Sequence, residues 1–186
     1  LWMGWFGFNA GSYLNFNTEA DAANVSRILL NTNMAAAGGV IAAAFVSYMR
    51  TYQFDLTFMM NGALGGLVAI TAEPLFPSPA MATAIGMGGG IILFWAFTML
   101  DMLKIDDVVG AIPVHLFCGV FGTLIVPLTN PDATFIGQAI SVAIVTGFVA
   151  VATGLVWTIL NLTIGVRISA ESEFYGVDAN ELVMKT

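Results

Sequence analysis

Residues 80–100 read AMATAIGMGGGIILFWAFTML, a run with no Asp, Glu, Lys or Arg. About 20 apolar residues coiled as an α-helix match the thickness of a bilayer's hydrocarbon core. A backbone in lipid must satisfy its own hydrogen bonds, so a run of this kind is predicted to be a membrane-spanning helix. Working outward, the same pattern recurs. Ile28–Met49 is a span closed by Arg50, and Arg50–Asp55 is a short turn. Leu56–Ala72 is a span ended by Glu73-Pro74, with Pro77 and Pro79 keeping the connection non-helical. Beyond Asp101, Lys104, Asp106 and Asp107 comes Val108–Leu128, then Thr129-Asn130-Pro131-Asp132, then Phe135–Val166, in which Gly147 and Gly154 offer places for a break. Asn15–Ser26, with Glu19 and Asp21, reads as a loop. Leu1–Leu14 is too short to cross alone; it starts apolar and without an initiator Met, and reads as a helix cut within or near the membrane.

The expected fold class is therefore an all-α polytopic membrane protein with one truncated and five complete transmembrane helices. Residues 1–166 form the membrane domain and residues 167–186 a polar, acidic tail. Strands of a barrel would instead be short and alternating. Composition agrees: 58% of the chain is hydrophobic and 9% is charged, against about 25% charged in ordinary soluble domains. A soluble globular enzyme and a disordered chain are both excluded on that ground. The net charge of -7 leaves no basic face for nucleic acid. The bilayer is the partner that composition demands.

Alternating the connections places Arg50, Lys104, Arg167 and Lys185 on one side and Arg27 on the other. Basic residues favour the cytoplasm, so the tail and the turns at 50–55 and 101–107 are expected inside, and the loops at 15–26, 73–79 and 129–134 outside. Gly62, Gly65, Gly66, Gly86, Gly89 and Gly122 supply the small residues that let membrane helices approach closely. Arg167 is expected as an interfacial anchor.

Two stretches carry chemistry. His115, the single histidine, sits in Pro113-Val114-His115-Leu116-Phe117-Cys118-Gly119, nine residues beyond Asp106. As one continuous helix that places it about 13 Å in, near the midplane, where an ionisable group marks a pathway. It is not a metal site: zinc takes three or four ligands, and the chain has no second His or Cys. No cofactor is implied. An intramembrane enzyme lacks a second catalytic group, and a pure scaffold gives no reason for the histidine. Near the start, Trp5, Phe8 and Ser12 fall on one helix face. An aromatic face attracts a small cation, and a hydroxyl can accept a hydrogen bond from it. Asp106 and Asp107, ahead of the His-bearing helix, are expected to cap it.

The string WFGFNAGS (residues 5–12), followed by Ile105-Asp106-Asp107, Val114-His115 and the tail signature Gly165-Val166-Arg167-Ile168-Ser169 with Glu173 and Gly176-Val177-Asp178, resembles the ammonium transporter family along essentially the whole chain. The resemblance implies the family's sixth to eleventh helices and tail, half of an inverted repeat in a subunit of a homotrimer. It implies that His115 is one of two pore histidines and Phe8 one of two gating phenylalanines. Ser12, with Trp5 beside it, belongs to the outer recruitment site, and Asn9 supports the helix. The partner histidine and the second gate fall in the family's first half. Many members carry Asp where this chain has Gly110, and Gly where it has Leu116; the bulkier Leu116 is expected to narrow packing at the pore.

The implied function is ammonium transport. Ammonium is recruited outside and deprotonated, and ammonia passes the histidines with a possible proton relay. The alternative is an ammonium-sensing membrane module with little flux. A PII-type nitrogen-regulatory protein is the implied cytoplasmic partner, met by a tail whose Glu171, Glu173, Asp178 and Glu181 otherwise form a solvated surface. The implied location is the plasma membrane.

Overall fold

The structure is a computed structural model and describes residues 1–176; Val177, Asp178, Glu181 and Lys185 of the expected tail lie outside the described residues. It divides into two compact units, Leu1–Val142 and Ala143–Thr186. The boundary expected at residue 167 falls inside the second. Among the described residues every regular element is helical.

The first unit opens with α1 (Trp2–Gly11). Helix α2 runs Glu19–Thr51, so the loop expected through Ser26 ends eight residues sooner. The cause is local. Thr18 accepts from the Asp21 backbone N–H while the Asp21 carboxylate accepts from the Thr18 N–H, a reciprocal cap that starts a helix despite the polar composition. Tyr52, with φ 55°, ends α2. Asp55 caps α3 (Leu56–Thr71) by accepting from Phe58, and Ser78 caps α4 (Pro79–Leu103) by accepting from Met81.

These three helices pack on one another with little between their backbones. A Cβ placed on Gly86 would overlap the Ala35 backbone, and one on Gly39 would overlap the Gly62 carbonyl. With no water to drive helices together in lipid, this close van der Waals contact is what associates them. Ala35, Ala69, Ile70, Ala82 and Ile85 form the buried cluster between them.

The connection between α3 and α4 is short of donors, because Pro74, Pro77 and Pro79 have no N–H. Fully buried Asn31 of α2 answers this: its Nδ2 donates to the Pro74 carbonyl at 2.9 Å and the Pro77 carbonyl at 2.8 Å.

The His-bearing segment departs most from expectation. It does not start at Val108. Residues 108–110 turn, with Gly110 at φ 77°, and the chain then forms a wide π-helical stretch, Ile112–Phe117, that leads into α5 (Cys118–Ile125) and a 3-10 turn, Val126–Leu128. Asp107 sets the start, its two carboxylate oxygens accepting from Ala111 and Ile112 at 2.9 and 2.7 Å; Asp106 is exposed. Of the five spans expected to be complete, α2, α4 and α6 (Phe135–Thr163) are long and apolar enough to cross a membrane, while Leu56–Thr71 and Ile112–Leu128 are shorter apolar segments.

Helix α6 runs unbroken through Gly147 and Gly154. In the second unit it ends at Gly165 (φ 72°), whose N–H donates to the Leu160 carbonyl. Ser169 then caps a short helix, α7 (Ala170–Tyr175), which is structure the polar tail was not expected to hold. Arg167 pairs with Glu173 at 3.3 Å, and Glu171 and Glu173 are exposed.

Candidate functional site

The site is built within the first unit, where α1 lies against α2 and α3. Two tethers hold α1. Asn9, 3% exposed, donates from Nδ2 to Thr32 Oγ1 of α2 at 3.0 Å. Trp5 donates from its indole Nε1 to Thr71 Oγ1 of α3 at 2.7 Å. Thr71 Oγ1 donates its own O–H to the Leu67 carbonyl at 2.7 Å, so its oxygen is left as the acceptor the indole needs. The indole of Trp5 is partly buried, and an indole N–H taken out of water needs such a partner.

Trp5 is thereby presented to the His115 ring. The two rings stack with centroids 6.4 Å apart and planes 13° from parallel, and the Phe8 ring is 5.7 Å from Trp5, tilted by 54°. Trp5, Phe8 and His115 line one cavity of about 720 Å³, together with Val68, Gly119 and Thr123. Its wall is mostly apolar. Phe8 remains 61% exposed.

The π-helical stretch places His115 there. The Cys118 N–H reaches back to the Pro113 and His115 carbonyls, and the Cys118 thiol donates toward the Pro113 and Gly89 carbonyls at 3.4 Å. Val114 and Cys118 are buried with Leu93, which pins the stretch against α4. Widened turns of this kind recur at functional positions. Because the helix begins at Ala111, His115 lies roughly 6 Å along it; the count of nine helical residues from Asp106 does not hold. Gly110 belongs where it is: its φ of 77° strains any L-residue, and a Cβ there would strike the Phe97 ring. Leu116 is 42% exposed and lines neither cavity described here, so it does not narrow them.

Ser12 occupies a neighbouring cavity of about 330 Å³, with Asn9, Tyr13 and Glu73. Thr71 and Ala72 line both cavities. Ser12 Oγ donates to the Phe8 carbonyl at 2.7 Å, leaving its oxygen as an acceptor. Trp5 and Ser12, expected together, thus face different cavities that share a wall.

Several lining residues were not anticipated. Gly119 and Thr123 follow His115 at steps of four, and Val68, Thr71 and Ala72 stand at steps of three and four, so a helical face was there to be read. Glu73 was read only as a helix stop. Its Oε1 accepts from Leu75 and Phe76 at 3.2 and 3.4 Å, and its Oε2 accepts from Asn130 Nδ2 at 2.9 Å.

The profile of the Ammonium Transporter Family matches residues 1–186. Ammonium transporter Amt2 of Archaeoglobus fulgidus is 40% identical over 97% of this chain and 42% of its own length. The Ammonium transporter of Bacillus subtilis is 31% identical over 96% of this chain and 47% of its own. The chain spans under half the length of these relatives. Among solved structures, one named Sensor Amt Protein superposes with a TM-score of 0.87 at 33% identity, over 97% of this chain and 46% of its own. Candida albicans Mep2 shares the fold, with a TM-score of 0.81 at 24% identity over 92% of this chain and 42% of its own.

Proposed function

The chain belongs to the ammonium transporter family, and we propose that it supplies half of an ammonium pathway, with His115 as the pore group that handles ammonia after its proton has left. The observation that carries this is the apolar cavity in which His115 stacks on Trp5 beside Phe8.

Ammonium and potassium are close in size, so a filter of carbonyls suited to one passes the other. An apolar conduit separates them by chemistry. Ammonium waits at the mouth, where the Ser12 oxygen accepts one of its N–H groups, and passes to the neighbouring cavity, where the aromatic rings face its charge. It then releases a proton, and neutral ammonia crosses past Phe8, which acts as a gate. The imidazole of His115 can both donate to and accept from ammonia. Potassium has no proton to lose and meets the full desolvation cost, several kcal/mol or more. The released proton travels along His115 and a partner histidine of the family's other half.

The complete subunit works as a homotrimer in the plasma membrane, with residues 167–186 in the cytoplasm as a landing surface for a PII-type protein. The test is His115→Ala in the complete subunit, assayed for ammonium flux in liposomes. Flux is expected to fall about tenfold or more, or selectivity over potassium to be lost. Unchanged rate and selectivity would overturn the proposal.

A second reading has one observation in its favour, the likeness to a protein named as a sensor. In it the same cavities bind ammonium and the tail reports occupancy with little flux. The liposome assay separates the two, since the sensor binds without conducting.

A further inference from the structure

The cavity that holds Ser12 contains a charge the aromatic mouth does not supply. Glu73 lines it, on the proline-rich connection between α3 and α4. Its carboxylate carries no counter-ion: among the described residues the one ion pair is Arg167 with Glu173. Arg27, the basic residue that reaches this connection, directs its guanidinium at the Phe76 and Pro77 carbonyls, each at 3.4 Å. The carboxylate is also fixed in place. Two backbone N–H groups hold Oε1 and the Asn130 amide holds Oε2, which leaves acceptor capacity on Oε2, since a carboxylate offers about four lone-pair positions. Two neutral polar side chains line the same cavity. Ser12 Oγ donates its O–H to the Phe8 carbonyl, and Asn9, with Nδ2 on Thr32, has no donor on Oδ1 among the described residues.

We propose that Glu73 is a cation-binding residue of the outer cavity, where its carboxylate, with the Ser12 and Asn9 oxygens, takes up ammonium or a primary alkylammonium before it reaches the aromatic rings. The lining offers one carboxylate together with the Ser12 and Asn9 oxygens, which matches a cation whose polar atoms are all N–H donors. This rests on the reading of that cavity as the ammonium mouth. Glu73 sets how tightly the ion is held and leaves the discrimination against potassium to the dry section.

The experiment uses the purified complete subunit and radiolabelled methylammonium, with equilibrium binding in detergent and uptake into liposomes measured separately. A unit charge about 4 Å away alters occupancy by about fivefold under the full screening of bulk water, the lower bound for this cavity. Glu73→Gln is therefore expected to raise Kd and half-saturation by at least that factor with the maximal rate unchanged, and to flatten their dependence on ionic strength. Glu73→Asp, which keeps the charge, recovers most of the affinity. Asn130→Ala removes one strut and keeps the charge, and holds Kd within about twofold. The proposal falls if Glu73→Gln binds like the parent, if Asn130→Ala weakens binding as much as Glu73→Gln does, or if the parent does not bind methylammonium. Glu73-dependent binding without uptake sustains it and overturns conduction instead; His115-dependent uptake indifferent to Glu73 overturns this proposal alone.

Discussion

The packing of α2, α3 and α4 and the wall formed by α1 with the 107–118 stretch solve opposite problems. In the first, side chains are nearly absent at the contacts: Gly39 faces Gly62 and Gly86 faces Ala35, backbone on backbone. In the second, large rings stand in the open, with Phe8, Trp5 and His115 spaced 5.7 and 6.4 Å apart around a cavity. The scaffold has no room to yield. The wall is positioned by a few polar tethers, Trp5 to Thr71, Asn9 to Thr32 and Asp107 to the start of its helix. Rigidity and access are thus assigned to different helices. A ring can stay exposed at the cavity because its backbone is tethered to closely packed helices.

Three substitutions test that division. Gly86→Leu should do most harm, because the new side chain meets the Ala35 backbone instead of a flexible neighbour. A loss above about 4 kcal/mol is expected, seen as disappearance of the folded peak on size exclusion in detergent; a variant that folded normally would break the contrast at its root. Gly110→Asp should cost about 2 kcal/mol, since it forces an L-residue to φ 77° against the Phe97 ring. Thermal unfolding would read this, and an unchanged midpoint would mean that the turn feeding the His115 stretch can relax. Trp5→Phe should do least. It deletes the bond to Thr71 while keeping a ring over His115, for about 1 kcal/mol, with ammonium uptake reduced less than in His115→Ala. A cost comparable to that of Gly86→Leu would show that the wall is itself scaffold.

Much of this was legible in the sequence because lipid imposes a coarse rule. Runs such as 80–100 must be helices, and α4 extends that run by only a few residues at either end. The start of α2 was legible too, in the spacing of Thr18 and Asp21, but the acidic composition hid it. The π-helical stretch was not. Its cause is shared between Pro113, the Asp107 cap and the Cys118 contact with Gly89, 29 residues away. For the site, WFGFNAGS and His115 pointed to residues that line the two cavities, yet their sorting between the two depends on Thr71, which composition does not single out. Glu73 was invisible as a lining residue because its partner Asn130 is 57 positions away.

The connection between α3 and α4 needs donors it cannot make, and Asn31, Arg27 and Asn130 lend them from outside. A segment sewn to its surroundings at that many points is poorly suited to swinging. The rim it forms beside Ser12 is accordingly an aperture of set width, and whatever is admitted there is chosen by fit and charge while the frame stays still.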